Sequence, residues 1–166
     1  MSRRAGERPA GADRVSRAAS ERAMSEVLPV EEWAKPLPAL DPVSAPYWQA
    51  AAEGRLLIQQ CPQCGHRQFY PRALCTACAE DPEWLECSGR GELHTFTVVR
   101  QYGARPFRDE LPYVIAMVEL EEGPMILGAV TDVDPEDVRI GMPVAVYFLK
   151  AADDVGIPYW RPIGDG

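Results

Sequence analysis

The chain has 166 residues, 46% hydrophobic and 25% charged: enough for one ordinary domain with an attachment or two very small ones, and too apolar to stay unfolded along most of its length. Its net charge of −8 is unevenly spread, because residues 1–23 carry six arginines against three acids and leave −11 for residues 24–166. So acidic a body is a poor general binder of polyphosphates; with no run of about 18 apolar residues and no apolar signal core at the start, the expectation is a soluble, cytoplasmic protein.

Residues 1–26 read as a disordered tail, or as an upstream extension of a protein whose natural start is Met24, since a stretch so polar cannot bury enough surface to order itself. Residues 27–57 form an arm and a short helix. Five prolines in "VLPVEEWAKPLPALDPVSAP" block both helix and sheet pairing, so the arm should run extended across a surface, with Trp33 and Leu37 as anchors on its own domain or on a partner. In "SAPYWQAAAEG", Ser44 is the N-cap candidate, Pro46 suits the first turn and Gly54 can close the helix in a left-handed conformation. Tyr47, Trp48 and Ala51 share one helical face, which should be buried, either in the chain's own core or against another subunit.

Residues 58–82 hold four of the five cysteines as two CxxC pairs, Cys61 with Cys64 and Cys75 with Cys78. Each tight turn lets two thiolates reach one ion, and four sulfurs suit a tetrahedral metal: zinc as the expected ion, iron as the alternative. A site filled by four protein ligands leaves no position for water or substrate, so it should brace structure. Gly65 follows the first pair and can take the positive φ such a turn needs, whereas Ala79 stands in the equivalent place of the second and makes that turn less ideal. A thioredoxin-type dithiol would need a βαβ pattern that the sequence lacks, and a disulfide framework would need an oxidising compartment.

Residues 83–162 read as strands. "WLECSGRGELHTFTVV" alternates in its second half and has Gly89 and Gly91 at its centre, the pattern of a long strand with a bulge or bend; Cys87 within it reads as a small buried hydrophobe. "LPYVIAMVELEEGPMILGAV" is a hairpin turning at Glu121–Pro124, "MPVAVYFL" is a fourth strand and "GIPYWRP" a fifth. Five short strands, the first long and bent, point to a closed barrel of the OB type. The expected fold is therefore mainly β: an N-terminal helix, a zinc ribbon and a five-stranded OB-fold barrel. His66 and His94 form no catalytic signature, and no nucleophile elbow, zincin, P-loop or dinucleotide motif is present, so the chain reads as a partner of an enzyme.

The order of "YWQAAAEGRLLIQQCPQCGHRQFYPRALCTAC", "SGRGELHTFTVV", "PYVIAMVELEEG" and "VRIGMPVAVYF" resembles the family of OB-fold proteins with a rubredoxin-like zinc ribbon that associate with acyl-CoA enzymes, over roughly residues 40–150. That resemblance implies a non-catalytic accessory subunit of a thiolase-like or aldolase partner, or of a hotdog-fold enoyl-CoA hydratase, in lipid, steroid side-chain or aromatic-acid metabolism. It carries the metal-ligand role onto Cys61, Cys64, Cys75 and Cys78, places the helix with Tyr47 and Trp48 toward a partner, beside which Trp33 of the arm is a further candidate contact, and implies a hetero-oligomer sharing an acyl-CoA ligand. CoA offers phosphates and an adenine, so arginine beside aromatics is the chemistry required. Two stretches provide it: Phe69, Tyr70 and Arg72 in the ribbon, and Arg100, Tyr102, Arg105, Phe107 and Arg108 in the loop after the first barrel strand. The competing reading of that loop is a solvated one whose arginines pair with nearby acids. The competing function classes are a nucleic-acid module, against which the acidic body speaks, and an electron-transfer protein, which would need iron.

Overall fold

The computed structural model describes residues 25–101 and 104–164, so the expectations for residues 1–24 and for Tyr102 lie outside the described residues. In chain order the elements are β1 (Val27–Pro29), α1 (Ala45–Ala52), β2 (Leu57–Gln60), β3 (Arg67–Gln68), β4 (Glu83–Glu86), β5 (Arg90–Val99), a single 3₁₀ turn over Phe107–Glu110, β6 (Tyr113–Leu120), β7 (Met125–Val130), β8 (Pro143–Ala152) and β9 (Val155–Pro162). No described helix is long and apolar enough to cross a membrane.

The mainly β fold with a closed five-stranded barrel is as expected. Strand order runs β5–β6–β7–β9–β8 and closes through Arg90↔Ala145 and Gly91↔Val144; every pairing around the ring is antiparallel except β7 with β9. The apolar set of each strand points inward at period two, and Leu93, Val114, Val118, Ile126, Val144 and Trp160 fill the barrel with almost no solvent access. The 6–7 hairpin turns where "EEGP" predicts it.

Helix α1 packs on β8 and β9. Its seat depends on Gly156, where a Cβ would lie 2.3 Å from the carbonyl carbon of Ala51, closer than any side chain tolerates. Asp41 organises the helix entry: its carboxylate accepts from the backbone N–H of Val43 and Ser44 and from the Ser44 hydroxyl. Ser44 therefore spends its hydroxyl on Asp41 and makes no capping bond of its own. At the other end Gly54 takes φ +81°, as expected of the helix stop.

Two sequence expectations are corrected. The arm pairs after all: β1 lies parallel to β8, with Val27 opposite Phe148 and Pro29 opposite Lys150. Proline is tolerated because this is an edge strand of three residues. The alternating run over 84–99 is two strands rather than one, because Gly89 at φ +74° turns a corner inside it. Residues 83–86 pair with β2, giving a three-stranded sheet β3–β2–β4, and Cys87 is buried in the connection, its N–H donating to the Leu56 carbonyl. Alternation is the same whichever sheet a strand joins, so the pattern alone does not divide the run.

Glu122, at the tip of the β6–β7 hairpin, ties the small sheet to the barrel. Its carboxylate accepts from the Ser88 N–H at 2.7 Å and its carbonyl from the Arg67 guanidinium at 3.0 Å.

Candidate metal centre and the aromatic cavity beside it

The two CxxC turns face each other. Cys61 Sγ is 3.5 Å from Cys78 Sγ, Cys64 Sγ is 3.7 Å from Cys75 Sγ, and all four sulfurs lie within 4.8 Å of one another. Four sulfurs at about 2.3 Å from a tetrahedral ion stand about 3.8 Å apart, close to the two shorter separations here, so the donor set fits a closed metal site. Cys61 and Cys75 are buried, Cys64 and Cys78 exposed.

The backbone repeats itself in the two turns. In the first, Gly65 N–H donates to the Cys61 carbonyl and Cys61 N–H to that of His66; in the second, Ala79 N–H donates to the Cys75 carbonyl and Cys75 N–H to that of Glu80. The residue closing each turn is left-handed, Gly65 at φ +73° and Ala79 at φ +64°. Alanine adopts the glycine conformation here at a cost of about 1–2 kcal/mol, the physical content of the less ideal second turn. Cys75 and Cys78 are pushed in opposite directions. Burial opposes ionisation of Cys75, but N–H groups of Ala77 and Cys78 and its thiol neighbours outweigh it and hold it at about 7. At Cys78 a backbone bond at Glu80 favours the thiolate, yet the Cys64 and Cys61 sulfurs prevail and push it up to about 12. His66 bonds to Thr76 at 3.0 Å and is not part of the sulfur cluster.

Between the turns, two buried glutamines shape residues 69–76. Gln59 accepts from the Arg72 N–H at 2.8 Å and donates to the Arg72 carbonyl at 3.0 Å. Gln68 donates to Gln59 at 2.8 Å and accepts from the Thr76 N–H at 2.8 Å. Every arm of this network is satisfied, the condition under which buried amides rigidify a loop. The Phe69–Tyr70 peptide it presents is cis.

That loop meets the helix. The Tyr47 ring lies 4.8 Å from Trp48, 5.3 Å from Phe69 and 6.4 Å from Tyr70, and Phe69 is 5.4 Å from Tyr70, each tilted or edge-on as aromatic quadrupoles prefer. Helix and ribbon aromatics, separate in the sequence, thus form one cluster. Burial pushes the Tyr47 hydroxyl far above its usual range. Tyr70, Leu74 and Leu127 remain exposed, with Trp48 half-buried.

On the arm, Trp33 is half-buried but Leu37 is 51% exposed and does not anchor the arm to its own domain. Lys35 is the anchor instead. Its Nζ donates to Glu110 and to the Tyr159 hydroxyl, both at 2.8 Å, and stands 5.4–5.6 Å from the rings of Trp33, Phe107 and Tyr159. Burial would lower its pKa, but Glu110 and Tyr159 together outweigh that and raise it.

Helix, ribbon loop, arm and barrel strands β6, β7, β8 and β9 line an open cavity of about 680 Å³. All five tyrosines among the described residues line it, together with Trp48, Phe69 and Phe107. The arginines expected for CoA are placed elsewhere: Arg72 is exposed, Arg100 is ion-paired with Glu136 across to the β7–β8 loop, and Arg105 and Arg108 are exposed at the 3₁₀ turn, none of them in the cavity lining. Sequence reasoning missed Gln59, Gln68, Lys35 and Glu122. The one available signal was the polar pair Gln59–Gln60 ending an otherwise apolar strand.

Comparison with known proteins gives consistent matches. Residues 48–83 match the family described as ChsH2, rubredoxin-like zinc ribbon domain, and residues 84–149 the one described as ChsH2, C-terminal OB-fold domain. A DUF35 domain-containing scaffold protein of Methanocaldococcus jannaschii is 38% identical over 110 residues, covering 64% of this chain and 77% of that protein. A probable enoyl-CoA hydratase alpha subunit of Thermomonospora curvata is 33% identical over 129 residues, 77% of this chain; the chain spans only 40% of that subunit's length. Among solved structures, a chain of an Ltp2-ChsH2(DUF35) aldolase aligns with a TM-score of 0.69 at 32% identity, covering 76% of this chain and 98% of that one.

Proposed function

The chain belongs to the DUF35 family of scaffold proteins that join a rubredoxin-like ribbon to an OB-fold barrel, and from that premise we propose that it is a non-catalytic subunit docking on a thiolase-like or aldolase acyl-CoA enzyme in the cytoplasm. The observation that carries this reading is the exposure of Tyr70 and Leu74 on the loop between the two CxxC turns and of Leu127 on β7, with half-buried Trp48 beside Tyr70, whereas Tyr47, expected to face a partner, is buried in the chain's own core. A turn fixed by metal at both ends presents aromatic side chains at little entropic cost, which is what an interface anchor requires.

In this reading Cys61, Cys64, Cys75 and Cys78 hold a structural zinc, whose chemistry is to cross-link the two turns. Tyr70 and Leu74, on the loop between them, and Leu127 of β7 meet the partner, with Trp48 behind them. Trp33 is held with Lys35 at the barrel and faces the partner less directly. The partner supplies nucleophile and acid-base groups, and this chain helps enclose the thioester. Phosphates of CoA would meet Arg72, or Arg105 and Arg108, from outside the cavity. The metabolism served is that of lipids, steroid side chains or aromatic acids. A hydratase partner is the second reading, favoured by the likeness to a hydratase alpha subunit.

Purifying a tagged chain from its native cell tests the proposal. An acyl-CoA enzyme subunit should emerge with it in fixed ratio, and its identity separates the thiolase-like from the hydratase reading. Turnover of an acyl-CoA by the isolated chain would refute both.

A further inference from the structure

We propose that the 680 Å³ cavity is a binding site on this chain for the uncharged, apolar body of a ligand, an acyl chain or ring system, with any phosphate left outside. The volume falls in the range of small-molecule sites, about 300–1,000 Å³. Its walls are mainly apolar and aromatic, with Leu127, Ala129 and Ile157 from the strands and the rings of Trp48 and Tyr70 among them.

Charge decides between the two ends of a thioester ligand. Among the described residues Lys35 is the one cation in the lining, and its ammonium is already held by Glu110 and Tyr159 inside three aromatic rings. A phosphate drawn to Lys35 would sit beside the Glu110 carboxylate already bound there, a repulsive arrangement. The hydroxyls of Thr131 and Tyr147 are likewise bonded to each other at 2.9 Å. With Lys35, Glu110, Tyr159, Thr131 and Tyr147 paired among themselves, the cavity offers an entering ligand mainly apolar surface, whose burial is favourable whatever the ligand's charge elsewhere. Flat tyrosine and tryptophan faces suit a ring or an extended chain equally.

The inference rests on the accessory-subunit reading only for the choice of thioester as competitor. The full metal-loaded chain is titrated with the neutral dye N-phenyl-1-naphthylamine, whose emission rises in an apolar site. One dye per chain should bind, and a decanoyl N-acetylcysteamine thioester, which lacks the nucleotide, should displace it while free CoA does not. Ala129→Phe, which fills the cavity, should weaken the dye at least tenfold. Leu127→Glu, at a position already 62% exposed and so safe for folding, should do the same from the rim. Absence of dye binding, displacement by free CoA as effective as by the thioester, or undiminished binding in Leu127→Glu would overturn the inference. None of these results bears on whether an enzyme subunit co-purifies, so the two claims fail separately.

Discussion

Inside the barrel Leu93, Val118, Val144 and Phe148 are wholly inaccessible, whereas between Cys61 and Glu80 the ribbon buries little beyond the sulfurs of Cys61 and Cys75, Gln68 and Pro71. The barrel is held by apolar area, at about 25 cal/mol per Å², and by a closed ring of strand pairs. A ribbon of that size cannot offset its chain entropy by burial and needs a cross-link at each turn.

The largest expected effect breaks the comparison on the ribbon side. Chelation should release binding energy on the order of 10 kcal/mol and collapse the ordered signals of residues 61–80, while the barrel keeps its β-sheet circular dichroism and its own thermal transition. Loss of both together would mean that the ribbon and barrel are one cooperative unit. Next comes the barrel side: Leu93→Ala should cost about 2–5 kcal/mol in denaturant unfolding and leave four-thiolate metal affinity per folded chain unchanged.

How far these regions were legible in the sequence follows the same divide. Metal-ligand spacing is local, so Cys61 to Cys78 announce their site; strand alternation is local, so five barrel strands are visible. Lys35 meets Tyr159 across 124 positions and Gln59 meets Arg72 only after β2 and the ribbon loop fold together, and no local pattern encodes such meetings. The aromatics Tyr47 and Phe69 stand out individually, but their contact depends on the seat that Gly156 makes for the helix.

Smaller effects sharpen the contrast. Gln68→Ala should leave Gln59 and the Thr76 N–H without their partner and cost about 1–3 kcal/mol, read as a lower midpoint of the ribbon transition alone. Ala79→Gly should relieve the left-handed alanine and stabilise the ribbon by about 1 kcal/mol, and Gly65→Ala should do the reverse by a similar amount; shifts of clearly different size would show that the turns are not equivalent in strain.

In the proposed complex a metal-braced ribbon presents the docking face while the barrel stands independently. Gel filtration of the chain with its co-purified enzyme partner, before and after chelation and with circular dichroism on the same fractions, tests this. Removing the metal should release a free chain whose barrel signal is intact, and restoring zinc should re-form the complex. A complex that survives complete metal removal would contradict it.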